Sequence, residues 1–137
     1  MTNLKISVDG VTAVAALKDD AAPKSTEKIL GALPLTTTLV HASRSGNCAV
    51  AHDDSLADAS LPIEGQVSMY YPNMVAYDPV RGYIVLAYGQ GQARSSTCTH
   101  WVTYLGEIVE GAAELAAKVQ ETREGGGTLE IRFERGE

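Results

Sequence analysis

Leu4, Ile6 and Val8 alternate with Lys5 and Ser7, the period-two signature of a half-buried strand. Asp9-Gly10 follows, a dipeptide suited to a two-residue turn whose central residues both need positive φ. Val11 to Leu17 continues as a strand of small apolar residues, so the chain opens on a hairpin. Pro23 then opens a helix, because its fixed φ suits the first turn and its missing N–H has no partner there. Ile29, Leu30 and Leu33 share one helical face, and Pro34 ends the helix, which is predicted over Pro23–Leu33.

Further strands are predicted over Thr36 to Arg44 and Cys48 to Ala51, joined by the turn cluster Ser45-Gly46-Asn47. Asp53 to Glu64 reads as an irregular loop. Val67, Met69 and Tyr71 place Gln66 to Tyr71 in an extended segment. Asp78-Pro79-Val80-Arg81-Gly82 is a type I turn signature. Tyr83 to Tyr88 is a strongly β-prone buried run, with Gly89-Gln90-Gly91-Gln92 as a flexible loop after it, and Trp101 to Val109 is another strand. Ala112, Leu115, Ala116 and Val119 form the stripe of a second helix over Gly111–Thr122, supported by a Glu114–Lys118 pair and ended by Gly125-Gly126-Gly127. Leu129, Ile131 and Phe133 alternate with charged residues in a closing strand. About eight strands joined by short loops, with two helices, imply a mainly β, closed antiparallel barrel with two capping helices.

The chain has 137 residues and a mass of 14.5 kDa, enough for a single domain over 1–137 with its own core. Its formal net charge of −6 and pI near 5.0, without a basic cluster, exclude nucleic acid and anionic membrane surfaces as expected partners. Polar Thr2, Asn3 and Lys5 leave no apolar signal core between Met1 and Val8. No run approaches the roughly 20 apolar residues of a spanning helix. The expected location is the cytoplasm, with Cys48 and Cys98 as free thiols. Cys48, His52, Cys98 and His100 have the composition of a zinc site, but on a strand Cys48 and His52 lie about 13 Å apart, so no metal and no cofactor is expected. Gly89-x-Gly91 lacks the lysine and following helix of a phosphate loop.

Several segments carry a family resemblance. Ala22-Pro23-Lys24-Ser25-Thr26-Glu27-Lys28-Ile29 resembles the start of the first cyclophilin helix, and Leu105-Gly106-Glu107-Ile108-Val109-Glu110-Gly111 the run entering the second. The chain is more closely similar to a bacterial family of small uncharacterised cyclophilin-like proteins, through Ala32-Leu33-Pro34, His41-Ala42-Ser43-Arg44-Ser45-Gly46, Tyr70-Tyr71-Pro72 and Ala87-Tyr88-Gly89. The resemblance spans most of residues 4 to 134 and implies a cyclophilin-like barrel whose outer groove binds a ligand.

Departures from the cyclophilin pattern shape the functional expectation. If Val40-His41 matches the strand that carries the catalytic arginine, Ala42 stands in the arginine's place. Arg44 is displaced by roughly 6 to 7 Å along the strand. Ser95-Ser96-Thr97-Cys98 is the nearest match to the aromatic pocket run, which in cyclophilins carries phenylalanines. The expectation is a binder of a small-molecule or peptide-like ligand with little or no prolyl isomerase activity. Its site would be His41, Arg44, Tyr71 and His100, with Trp101 as a wall and Arg44 holding a carboxylate. The alternatives are a weak prolyl isomerase using Arg44 and, by fold analogy, an accessory subunit of a small-molecule amide hydrolase. Homo-oligomerisation is compatible with all three.

Overall fold

The structure is a computed structural model, and it describes residues 2–124 and 127–136. Ten strands and two α-helices follow in the order β1 (Thr2–Val8), β2 (Val11–Leu17), α1 (Pro23–Gly31), β3 (Leu35–His41), β4 (Gly46–His52), β5 (Gln66–Val67), β6 (Met69–Tyr70), β7 (Met74–Asp78), β8 (Tyr83–Gln92), β9 (Val102–Glu110), α2 (Ala112–Glu124) and β10 (Thr128–Arg135). Eight strands run in the order β2-β1-β10-β3-β4-β8-β7-β9, and a β2–β9 pairing closes the ring. All these pairings are antiparallel, which makes the expected barrel. The short β5 and β6 attach outside it, to β9 and β8.

The first hairpin forms as the sequence predicts. Asp9 and Gly10 have φ of 45° and 81°, the positive pair of a two-residue turn, and Val8 faces Val11. Leu4, Ile6 and Val8 then point into the barrel with Ala13, Ala15 and Leu17 from β2. Ile29 of α1 and Leu115 and Val119 of α2 join the same buried cluster, so each helix contributes its apolar face to the barrel interior.

Several expectations need correction. α1 stops at Gly31 rather than Leu33, and its first amides are capped from afar: the Glu64 carboxylate accepts from the N–H groups of Lys24 (3.3 Å) and Ser25 (2.8 Å). Lys118 pairs not with Glu114 but with Asp9 of the first hairpin turn (3.0 Å) and with Glu121 (3.1 Å). Met74–Asp78, buried at every position, is a full strand between β8 and β9; without alternation it carries no period-two signal. Gly89 to Gln92 is not a flexible loop but the continuation of β8, paired with β4 and β6. The Asp53–Glu64 loop contains a 3-10 turn at Asp54–Leu56, anchored because the Tyr77 hydroxyl donates to the Leu56 carbonyl. Of the glycines expected to end α2, Gly125 and Gly126 lie outside the described residues. No described helix is long and apolar enough to cross a membrane.

Candidate functional site

Residues on β4, β7 and β8 alternate between the two faces of the barrel wall. Ala49, Ala51, Val75, Tyr77, Ile84 and Leu86 fill the interior. Their neighbours Cys48, Met74, Ala76, Val85 and Ala87 face outward, yet they too are buried, together with Tyr70, Ala93 and Val102. They are covered by β5, β6 and the loop from Ala93 to Trp101. That loop is pinned by the N–H of Ala93 on the Ser68 carbonyl (2.8 Å) and the N–H of His100 on the Ala93 carbonyl (2.9 Å). The molecule therefore has a second, smaller apolar cluster outside the barrel.

A cavity of about 340 Å³ opens beside this outer cluster. Its floor is Cys48, Val50, Tyr70, Tyr83 and Val85, and the turn Ala42–Ser45 forms one side. Asp78 and Arg81, at the β7–β8 turn, and Arg94, Ser95 and His100, on the covering loop, complete it. Three arginines thus stand against one carboxylate, in a chain whose net charge is −6. A larger hollow beside α1, about 500 Å³, has Lys24 and Lys28 matched by Glu27 and Asp58 and shows no comparable excess.

The turn that carries Arg44 is set by close backbone approach. Gly46 has φ of 89°, and a Cβ there would lie 2.8 Å from the Gly91 Cα. A Cβ on Gly91 would in turn overlap the Ser45 carbonyl oxygen, which accepts from the N–H of Gln92 (2.9 Å). Only two glycines let β8 and the turn meet this closely.

Asp78 is spoken for within the protein. It is 2% exposed. Its Oδ1 accepts from the backbone N–H groups of Val80 (3.1 Å) and Arg81 (3.2 Å), and its Oδ2 meets Arg81 Nη1 (3.1 Å) and His100 Nε2 (3.5 Å). His100 Nδ1 is buried without a hydrogen-bond partner among the described residues. Burial, and next the Arg81 charge, hold the His100 pKa below its ordinary value against the opposing pull of Asp78, so the ring is neutral at neutral pH. Burial pushes the Cys48 thiol up to about 12, which keeps it protonated and unreactive. Arg44 and Arg94 differ from Arg81: both are exposed, and neither has a carboxylate partner among the described residues.

Of the five residues singled out from sequence, His41, Arg44 and His100 line this cavity. The His41 ring is already engaged, with Nε2 2.8 Å from the Tyr88 hydroxyl and Nδ1 2.7 Å from the Ala42 carbonyl oxygen. Tyr71 and Trp101 do not line it; they are 53% and 58% exposed. The neighbour Tyr70, the last residue of β6, lines the floor instead. Asp78, Arg81 and Arg94 were not singled out at all. The signal for Asp78 and Arg81 was the turn motif itself, whose leading aspartate accepts the next N–H groups. Among the described residues no group of His, Cys, Asp and Glu side chains is arranged to hold a metal ion.

A family model described as a protein of unknown function, DUF3830, matches residues 4–133. The chain belongs to the DUF3830 family. No curated protein matches it. Several solved structures resemble this DUF3830 chain, two of them as follows. McbB, determined in complex with tryptophan, superimposes with a TM-score of 0.74 at 20% identity, covering 98% of this chain and 45% of McbB. The hypothetical protein AF2241 from Archaeoglobus fulgidus superimposes with a TM-score of 0.65 at 20% identity, covering 98% of this chain and 95% of that one. The DUF3830 chain thus spans less than half the length of McbB. At this identity the likeness is one of fold.

Proposed function

We propose that this protein binds a small carboxylate-bearing molecule in the outer cavity of a cyclophilin-like barrel. The observation that carries this reading is the pair Arg44 and Arg94. Both line the same tyrosine-bearing cavity, Arg44 from the Ala42–Ser45 turn and Arg94 from the covering loop, and neither has a carboxylate partner among the described residues. A guanidinium fork matches a carboxylate in geometry as well as in charge. Arg81 is held back by Asp78, so it sets the local field while Arg44 and Arg94 make contact. Cys48, Val50 and Val85 offer the ligand body an apolar wall, and His41, held by Tyr88, lines the cavity next to the Arg44 turn. That McbB was determined with tryptophan, a carboxylate joined to an apolar ring, supports the same ligand class.

Isothermal titration with a panel of aliphatic and aromatic monocarboxylates tests the reading. Charge-assisted bonds contribute about 1.5–3 kcal/mol each, so Arg44→Ala and Arg94→Ala should each weaken binding by roughly tenfold to a hundredfold. Arg132→Ala, which removes a partner of Glu134 on β10, should leave binding unchanged. Affinity should also fall with added salt. Binding indifferent to both Arg44 and Arg94 would refute the proposal.

A further inference from the structure

The cavity floor includes Tyr70, a nearly buried tyrosine whose hydroxyl no described residue hydrogen-bonds. Tyr70 is 3% exposed. Its backbone is fixed by pairing with Gly91, and its ring packs where a Gly91 Cβ would come within 3.3 Å of Cδ2. Tyr77 and Tyr88, by contrast, hydrogen-bond inside the protein: Tyr77 donates to the Leu56 carbonyl, and Tyr88 meets His41. The Tyr70 hydroxyl has no hydrogen bond to any described residue, which on the cavity floor leaves it for water or a ligand to satisfy. It lies near Cys48 and Asp78, both on the cavity wall. Burial, with those two groups, raises its pKa above the ordinary phenol value, so it stays an O–H donor.

The geometry points to Tyr70 as the specificity-determining residue of the cavity, and to a ligand that is an acyl- or oxo-substituted carboxylic acid. The carboxylate sits on the arginine rim, and an oxygen acceptor at the far end meets the Tyr70 hydroxyl. This rests on the carboxylate reading above. A ligand whose far end is hydrocarbon would seal the O–H in a dry, apolar floor and forfeit its hydrogen bond to water. A ligand with a carbonyl oxygen there replaces that water. The neutral phenol discriminates between the two without adding charge, which leaves the charge recognition to Arg44 and Arg94.

Matched acids that differ only in C=O against C=CH₂ isolate this contact. Suitable pairs are 4-acetylbenzoate and 4-isopropenylbenzoate, with the corresponding phenylacetates and phenylpropanoates to vary length. At the length that fits, wild-type protein should bind the carbonyl member about tenfold to a hundredfold more tightly. Tyr70→Phe should bring the two members to within about twofold, by weakening the carbonyl acid and leaving the other unchanged. Equal wild-type binding of both members at every length overturns the inference while leaving the carboxylate reading intact. So does a preference that survives in Tyr70→Phe. If no acid of either kind binds, the carboxylate reading falls and takes this inference with it.

Discussion

Gly91→Ala joins the fold and the site in one perturbation. The added methyl would overlap the Ser45 carbonyl oxygen and stand 3.2 Å from the Ser45 carbonyl carbon, both backbone atoms that cannot rotate away. It would also press on the Tyr70 ring at 3.3 Å. Relief requires β8 and the Ala42–Ser45 turn to separate, which breaks the 2.9 Å bond from the Gln92 N–H to the Ser45 carbonyl. Overpacking of this kind costs about 1–3 kcal/mol, and the lost bond adds about 1 kcal/mol. For a chain of 137 residues the sum lowers the melting temperature by roughly 6–15 °C. Gly31→Ala is the control: it ends α1 in open space, and removing the glycine's excess chain entropy should stabilise by about 0.5–1 kcal/mol. Calorimetry of the three proteins decides the matter. A Gly91→Ala protein melting within about 2 °C of wild type would show that the close approach of turn and strand is wrong.

The remaining predictions concern protons, thiols and isomerisation. His100 is held below its ordinary value of 6.5 in the folded state by burial and Arg81, so as pH falls the unfolded chain takes up its proton first; melting temperature should drop between about pH 7.5 and 5.5, and less steeply in His100→Gln. The carboxylates that hydrogen bonds hold low, Asp19, Asp53 and Asp58, act in a separate window below about 3.8, and a pH slope identical in wild type and variant would refute the assignment. Cys98 is exposed and Cys48 is buried with its thiol pushed up to about 12, and both are free; alkylation of the native protein should label Cys98 alone, with Cys48 labelled only after denaturation. In a protease-coupled assay the protein should not accelerate prolyl isomerisation, since Ala42 offers no side-chain donor and such a donor is typically worth several hundredfold in rate; robust turnover lost in Arg44→Ala would contradict this.

Local signals in the sequence were sufficient for the elements whose cause is local. Asp9-Gly10 sets its own turn, Pro23 starts α1, and the Leu115–Val119 stripe marks α2. What failed was either two-sided burial or pairing with distant chain. Met74–Asp78 carries no alternation because β8, β9 and both apolar clusters enclose it. Gly89 to Gln92 looked flexible because glycine permits many conformations, whereas here it permits one close crossing. The same division holds at the cavity. Arg44 and His41 lie within one hairpin, three residues apart, so a local motif holds both. Asp78, Arg81 and Arg94 reach them only through the β4–β8 and β7–β8 pairings, which no local pattern encodes. Tyr71 lies one residue past β6 and is exposed, while Tyr70, the last residue of that strand, lines the cavity.

The ring closure has a kinetic consequence. The β1–β2 hairpin is the first element of the chain, yet its outward partners are β10 and β9, the last two strands. During synthesis the hairpin can form within microseconds but must then wait with both edges unpaired. Those edges carry Lys5 and Thr12, whose polar side chains discourage pairing with another nascent chain. With most contacts joining residues far apart in sequence, folding should be slow for a domain of this size, and limited by the arrival of the C-terminal strand rather than by any local step.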